Sequence, residues 1–581
     1  MQSRFLSWQR PNAARLMLVP LLLITACAPT QRATEQAAAP SSGQQPAAPK
    51  VVTIAIQGQP VSFDSDLTGS AAGRNQGGVT NVPYIAHDGL MTRTGPQSYE
   101  PRLVTEAPST EKGMWTVNPD GTMDMTWKLR PNVKWHDGAP FNSEDMMFTF
   151  QVRRDPELPR LSGGRGRPEL MQSATAPDPL TFVVHWRQVY VLAGLADGLE
   201  PLPKHLLSEM WAQDKEGMTQ SRYFTTEFVG LGAFKLASWE QGSHMEFVRN
   251  DDYYLGRPLL DRVILRFIPD PNTMVANILS EAVDVVLPTG VDLDAALEVR
   301  RRWEGTGNLI RSDVVGGLHQ LEIQHRVENA RPMFGLINRT VRQAMYQAID
   351  RQTLADVMAQ GLAPAADSWY APNDPVRTDV ESFIPQFPYN PARAIQVLDS
   401  EGWARGADGV LTHRPSGERF QVEIQLRPGE EALRAGSIIA DGWQAVGARV
   451  DLEPLTPATA NDGQFLATRS GPALISPGGY NFYDRRLHSM GIPRAETRWT
   501  GNNRGGYSNP RVDEILNKLA LTVDARERVG LHRDLLREQM EDIALMPLYW
   551  EVLPILMLKG VVGPRMQGSE ATPNIYEWDK R

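Results

Sequence analysis

Trp127-Lys128-Leu129-Arg130-Pro131-Asn132-Val133-Lys134-Trp135-His136-Asp137-Gly138-Ala139-Pro140-Phe141-Asn142-Ser143-Glu144-Asp145 sets the pattern for the whole chain. Trp135-His136-Asp137-Gly138 reads as the end of a strand running into a turn, where Gly138 supplies a permissive backbone and Asp137 caps the turn. Asn142 is then a helix N-cap, Glu144 and Asp145 put negative charge into the first helical turn, and Phe141 can staple onto Met146. A strand gives way to a capped helix over a short stretch, and the same alternation continues outward from it. Asn390-Pro391 and Asn509-Pro510 each pair an N-cap with Pro at the first helical position. They are followed at helical spacing by Ile395 and Leu398, and by Val512, Ile515, Leu516 and Leu519. Residues 339 to 361 read as two successive helices, apolar at Val341, Met345 and Ile349 and then at Leu354, Val357 and Met358, closed by Gly361. Asn338 begins the first of them. Val51–Ile56, Thr181–Trp186 and residues 263 to 268 and 420 to 426 are rich in β-branched or aromatic side chains and read as strands. Strands and helices interleaved along the length predict an α/β fold.

Composition narrows what such a fold can do. The chain has 581 residues with 59 Lys and Arg against 68 Asp and Glu, a formal net charge of −9 without the basic excess that tracks a phosphate backbone. Nucleic acid is excluded as a partner on that ground. A single cysteine can form neither an internal disulfide nor a thiolate metal cage, so the fold must rest on its hydrophobic core, and the length predicts more than one domain. Residues 1 to 15 carry Arg4, Arg10 and Arg15 and no acid, and the apolar run from Leu16 to Ile24 is too short for a lasting membrane span. This reads as a signal peptide over residues 1 to 26. It ends in Ile24-Thr25-Ala26-Cys27, small residues leading into the only cysteine, as in the lipobox of bacterial lipoproteins. That resemblance implies acylation of Cys27, which would hold the protein at a membrane on the extracytoplasmic or periplasmic side. Residues 28 to 50, almost all Ala, Pro, Gln, Ser, Thr and Gly, then read as a flexible tether.

Motifs for chemistry are missing. No Gly is followed by Lys, so there is no Walker A loop; no His is followed by Glu, and no Ser sits in a Gly-x-Ser-x-Gly elbow. Acid pairs such as Asp251-Asp252 read as solvated turn residues. The sequence therefore predicts a protein that is not an enzyme and carries no cofactor.

Several segments together resemble one family in its own order. Glu100-Pro101-Arg102-Leu103-Val104 and the stretch from Trp127 to Asp145 resemble the signature of the extracellular solute-binding proteins of the peptide/nickel class, family 5. The likeness continues through Gly230-Leu231-Gly232-Ala233-Phe234-Lys235-Leu236, Arg249-Asn250-Asp251-Asp252-Tyr253-Tyr254, Val341-Arg342-Gln343-Ala344 and Gly506-Tyr507-Ser508-Asn509-Pro510. The resemblance implies a two-lobed periplasmic-binding-protein fold with a hinge. Residues 51 to 305 and 530 to 581 would form the first lobe, with an extra subdomain near 82 to 165, and residues 306 to 529 the second. It implies a monomer that captures a peptide or other small solute and delivers it to an ABC permease served by ATPase subunits. A ligand touching both lobes stabilises their closure only through its differential affinity for that state.

The resemblance also nominates contacts. Asp64, Asn81 and Tyr84 occupy places where the family touches ligand, and Arg427, after the 420 to 426 strand, suits an anion or carboxylate. Counting back from Leu487-His488-Ser489, the segment that in peptide-binding members begins with an amine-pairing acid is Ile475-Ser476-Pro477-Gly478-Gly479-Tyr480 here. Ile475 stands where the acid would be, which puts ordinary capture of a peptide N-terminus in doubt. Tyr480, Asn481, Tyr483 and Asp484 are the contacts nominated in that loop, with Asp484 as a possible substitute acid. Trp403 reads as a packing anchor after a helix C-terminal Gly, and His488, alone among potential ligands, as structural, so no metal site is assigned. Two other classes stay open: an exported hydrolase, and a lipoprotein with a sensory or chaperone role.

Overall fold

The computed structural model describes residues 48–68, 77–95, 98–158, 168–456, 458–475 and 486–581. Cys27 with its signal peptide, most of the tether, and Tyr480, Asn481, Tyr483 and Asp484 lie outside the described residues. One mixed sheet of ten strands organises the rest. In chain order these are β1 (Val51–Ile56), β2 (Phe234–Glu240), β3 (His244–Arg249), β4 (Arg262–Phe267), β5 (Val285–Val286), β6 (Leu309–Glu322), β7 (Gln421–Leu426), β8 (Arg449–Pro454), β9 (Ala473–Ile475) and β10 (Leu545–Met557). Across the sheet they run β8-β7-β9-β6-β10-β5-β1-β4-β3-β2. β1 lies parallel to β4 and β5, and β7 parallel to β8 and β9. Between the two parallel groups stand the long antiparallel strands β6 and β10.

Hydrophobic side chains form separate cores on either side of that pair. One gathers residues from Leu318 to Val552, including Leu426, Trp443 and Trp550; another gathers Val52, Ile54 and Leu265 with Ile555, Met557 and Trp578. Met557 and Val552 belong to different cores although both lie on β10. A third core fills a four-stranded antiparallel sheet built from Trp115–Val117, Met123–Lys128, Thr181–Trp186 and Met171–Asp178, and a fourth packs helices 271–279 and 293–302 against β5.

The opening stretch folds largely as its residues dictate, except that its strand ends at Lys128 and the turn at 135–138 is preceded by only an isolated bridge from Lys134 to Pro140. Trp135 is buried, Gly138 adopts φ 94°, and Asp137 accepts a hydrogen bond from the Ala139 amide at 3.1 Å while its other oxygen meets His205 at 2.7 Å. Asn142 caps α1 (Ser143–Arg154): its side chain accepts from the Glu144 amide at 2.8 Å, and Asp145 accepts from the Asn142 amide at 3.1 Å. Phe141 and Met146 are buried in the same core. Asn338, Asn390 and Asn509 cap their helices as well.

Three readings shift. Ile395 is 41% exposed, because the buried stripe of helix 391–400 runs through Ala394 and Leu398 and leaves Ile395 facing outward. Gln360, one residue before Gly361, already takes the left-handed conformation that ends its helix, with φ 52°. The helix Ala525–Asp542 buries Leu535, Leu536 and Met540 in the core of residues 318 to 552, so residues from 530 onward pack there until β10 crosses to the other core.

Asn142→Ala should lower unfolding free energy by about 0.5–2 kcal/mol, since the capping side-chain acceptor is lost, whereas Asn142→Gly should cost only a few tenths. Denaturant titration of the two variants checks this.

Candidate functional site

Strand direction locates the site. β5 and β6 both run antiparallel to β10, whereas β9 runs antiparallel to β6. The parallel group β1, β4, β5 and the parallel group β7, β8, β9 therefore point their C-terminal ends toward each other, at the middle of β6 and β10. There the pairing is interrupted: Val314 faces Val552 and Leu318 faces Trp550, so residues 315 to 317 oppose Glu551 alone. Ligands of α/β sheets sit outside the carboxyl ends of the strands, where the strand order reverses. In the second half the reversal falls between β7 and β9. The chain leaves β7 through helix 430–445 to β8 on one side, and β9 lies on the other.

From the first half the strand ends supply tight backbone. The amides of Gln57 and Gly58 both donate to the Gly77 carbonyl, at 2.8 and 3.2 Å. A Cβ on Gly77 would stand 2.2 Å from that of Gln57, and its φ of 36° also favours glycine. From the second half come polar side chains. Arg427 follows the last residue of β7, in line with Ile475 at the end of β9, and Ile475 pairs with Gln320 of β6. His319 stacks on Tyr549 of β10 with ring centroids 4.3 Å apart. Burial and then the Arg427 charge push the His319 imidazole down to about 4, so it is neutral at physiological pH. Gln320, Gln425 and His319 are buried, at 1%, 3% and 8% exposure. His319 Nε2, Gln320 Oε1, Gln425 Oε1 and the Tyr549 hydroxyl have no hydrogen-bond partner among the described residues. Buried polar atoms are nearly always paired, and four of those that are not lie on the strands that meet here.

The family model for "Bacterial extracellular solute-binding proteins, family 5 Middle" matches residues 101–493. The chain is a family 5 extracellular solute-binding protein. The oligopeptide-binding protein AppA of Bacillus subtilis is 23% identical to it over 476 residues, 79% of this chain and 81% of AppA. Heme-binding protein A of Haemophilus influenzae is 23% identical over 492 residues, 80% of this chain and 81% of that protein. In fold, this solute-binding protein is similar to NikA from Brucella suis in complex with Fe(III)-EDTA, with TM-score 0.72 and 17% identity over 91% of this chain and 100% of NikA. AppA of Bacillus subtilis in complex with a nonapeptide gives TM-score 0.63 and 19% identity over 92% and 100%. These likenesses give it the two-lobed α/β fold.

The nominated contacts of this binding protein divide. Arg427 is exposed beside the orphaned atoms. Asp64 is engaged with Arg153, at 2.5 and 3.3 Å, and accepts from the Leu67 amide. Burial would raise its carboxyl, but Arg153 and the Leu67 amide together hold it below the usual range. Asn81, fully buried, accepts from the amides of Ala571 and Thr572 at 2.7 and 3.3 Å and donates to Gly78, tying the chain's end to the loop after β1. Tyr84 is half-buried in the short helix Pro83–Ala86. His488 is held by Asn517 and stands 3.4 Å from Asp513. Sequence reading missed His319, Gln320, Gln425 and Tyr549. For His319 and Gln320 the signal lay in Leu318-His319-Gln320-Leu321-Glu322, a stretch in which both faces carry polar residues.

Behind the interruption, the Glu551 carboxylate packs over Gly317, where a Cβ would meet its oxygen at 2.4 Å. Burial and the neighbouring Glu431 raise the Glu551 carboxyl to about 7. A raised carboxyl favours the folded state below pH 4.5, where it is protonated in both states, and that contribution is lost as pH climbs to about 7. Glu551→Gln should therefore stabilise the protein by about 1–3 kcal/mol at pH 8 and by little at pH 4.5. Thermal unfolding of both proteins across that range provides the check.

Proposed function

We propose that this chain is the substrate-binding component of an ABC import system, taking up a peptide-like or other small solute between two lobes and handing it to a membrane permease with its ATPase subunits. The observation that carries the reading is the convergence of two parallel strand groups on one interrupted stretch of β6 and β10, where four buried polar atoms lack partners among the described residues. The relatives support it: an oligopeptide-binding protein and putative ABC transporter peptide-binding proteins, among them one from Brucella ovis at 26% identity. No nucleophile or metal motif suggests turnover.

The lobes divide, in this proposal, within the two long strands. The first lobe takes residues 51 to about 314 and from about 553 to the end, with the four-stranded sheet as its subdomain; the second takes about 318 to 552. The hinge is then the stretch 315 to 317 with Glu551, where strand pairing is already broken and bending disrupts least. The protein is a monomer held at the extracytoplasmic face of a membrane by acylated Cys27. Among the described residues no helix is long and apolar enough to cross a membrane.

Native mass spectrometry of the protein lacking residues 1 to 27 should reveal one small molecule bound per chain, and deletion of the protein in cells should abolish uptake of that solute. Turnover of the solute by the purified protein, or uptake unchanged by deletion, would refute the transport role. Separately, Cys27→Ser should move the full-length protein from the membrane to the soluble fraction; a variant that stays wholly membrane-bound would refute lipidation as the anchor.

A further inference from the structure

Arg427, Arg469 and Arg486 all act on the charge of Arg504, near the orphaned polar atoms, and among the described residues only Glu322 offsets them. Arg469 is buried and bonds Glu322 at 3.0 Å, the pair being exposed by 1% and 3% at their side chains. The other Glu322 oxygen accepts from the backbone amide of Arg504 at 3.2 Å. Glu322 is thus fully engaged. Arg504, Arg486 and Arg427 make no side-chain hydrogen bond or ion pair among the described residues. Desolvation lowers the affinity of Arg504 for its proton, and the charges of Arg486, Arg427 and Arg469 lower it further against the single favourable charge of Glu322. An arginine used for structure looks different here. Arg326 binds the carbonyls of Ala467, Arg504 and Pro493, and Arg469 those of Gly471, Leu466 and Glu322.

The position of the unmatched charge is informative. Residues paired across a sheet share a face, so Gln425, Ala473 and Glu322 lie together, as do Ile475 and Gln320 one step nearer the strand ends. Arg427 lies level with Ile475, two strands from Gln320, or about 10 Å at the usual strand spacing. The other acids of β7 and β8 stand back from the ends. Glu423 and Asp451 lie four residues before the level of Arg427, and Glu453, level with Gln425, shares a hydrogen bond with Glu423 that raises the latter to about 7. At the ends themselves no carboxylate among the described residues could receive an ammonium. Gln320 and Gln425 offer amide oxygens sealed from water and without donors.

We infer that the solute captured here is an anion, a small molecule carrying carboxylate or phosphate groups together with hydroxyl or N–H donors, and not a cation. The oxyanion sits among Arg427, Arg486 and Arg504 in charge-assisted hydrogen bonds, and its donors reach Gln320 and Gln425. Without the anion, three like charges are held close in a partly desolvated place, which disfavours the empty form. This inference rests on the capture role proposed above.

The test titrates the mature protein, washed in denaturant and refolded, with citrate, inorganic phosphate and N-acetyl-Glu-Glu, each against a neutral or cationic counterpart: citrate triamide, trialanine and trilysine. At least one anion should bind one to one, at least tenfold tighter than any counterpart, and the carboxylate and phosphate arms tell the two oxyanion sources apart. Arg504→Gln should weaken that binding at least tenfold while raising the melting temperature of the ligand-free protein, because a desolvated unmatched charge is removed. Arg427→Gln, at an exposed position, should weaken it without altering the fold. Binding of trialanine or trilysine as tight as the anions, or indifferent to Arg504→Gln, would overturn the anionic assignment and leave the capture role standing. A lower melting temperature for Arg504→Gln with binding intact would make Arg504 structural and overturn the assignment too. Binding of none of the probes, with no small molecule retained by the protein as purified, would overturn the capture role itself.

Discussion

Everything in this molecule hangs on the pairing of two long strands, Leu309–Glu322 and Leu545–Met557, which run through both cores. Each strand starts among one set of apolar neighbours and ends among another. Ile555 and Met557 pack with Val52 and Leu265, whereas Leu545 and Leu548 pack with Leu318 and Tyr346. The two cores are therefore joined through the backbone hydrogen bonds of this ladder. A connection of that kind transmits position along the strands while leaving rotation between cores cheap, provided the ladder is interrupted somewhere. The unmatched residues 315 to 317 opposite Glu551 are that interruption.

Electrostatics differ on the two sides of the crossing. Tyr549 and Glu551, two residues apart, share one face of the sheet, and burial together with Glu431 raises both of their proton affinities. Close by, Asp294 pairs with Arg434 at 2.8 Å, joining the start of helix 293–302 to that of helix 430–445. Asp292 caps the first of these helices through the Ala295 amide. Acids thus gather where helices of the two halves meet, and basic groups gather at the strand ends around Arg504. A half-exposed ion pair such as Asp294–Arg434 contributes on the order of 0–1 kcal/mol, enough to bias a hinge without locking it.

Much of this was legible in the sequence, for reasons that particular residues make plain. Asn142, Asn390 and Asn509 announce their helices because a capping side chain needs only its local neighbours. Trp403 reads as a packing anchor because a large apolar group after a helix-ending glycine has few alternatives, and it is buried against Phe420. The site was harder. Asp64 and Asn81 carry the right chemistry, but their partners are Arg153 and the backbone of residues 571 and 572, far away in sequence and invisible to a local reading. His319 and Gln320 were passed over because periodicity marks apolar faces, and a polar residue in a buried strand breaks the very pattern by which strands are recognised.

That failure is itself instructive about where function sits. A sequence that satisfied every local rule would put leucine or valine at positions 319, 320 and 425, and the sheet would be more stable for it. Burying an amide or imidazole without a partner costs roughly 1–3 kcal/mol each. Folding alone gives no return for that cost, and neither do the cores, which are well packed without these groups. These four stand on β6, β7 and β10 near the interrupted stretch, and Arg427, Arg486 and Arg504 make no side-chain hydrogen bond or ion pair among the described residues. Other buried polar atoms without partners, such as Trp186 Nε1 and Gln567 Oε1, belong to other parts of the fold; what sets these four apart is that they stand on the strands that meet at the interrupted stretch. Each orphaned atom then becomes a favourable contact once the solute arrives, and a solute that also reaches the first half gains most in the closed arrangement. The instability of the empty site and the selectivity of closure have the same physical origin.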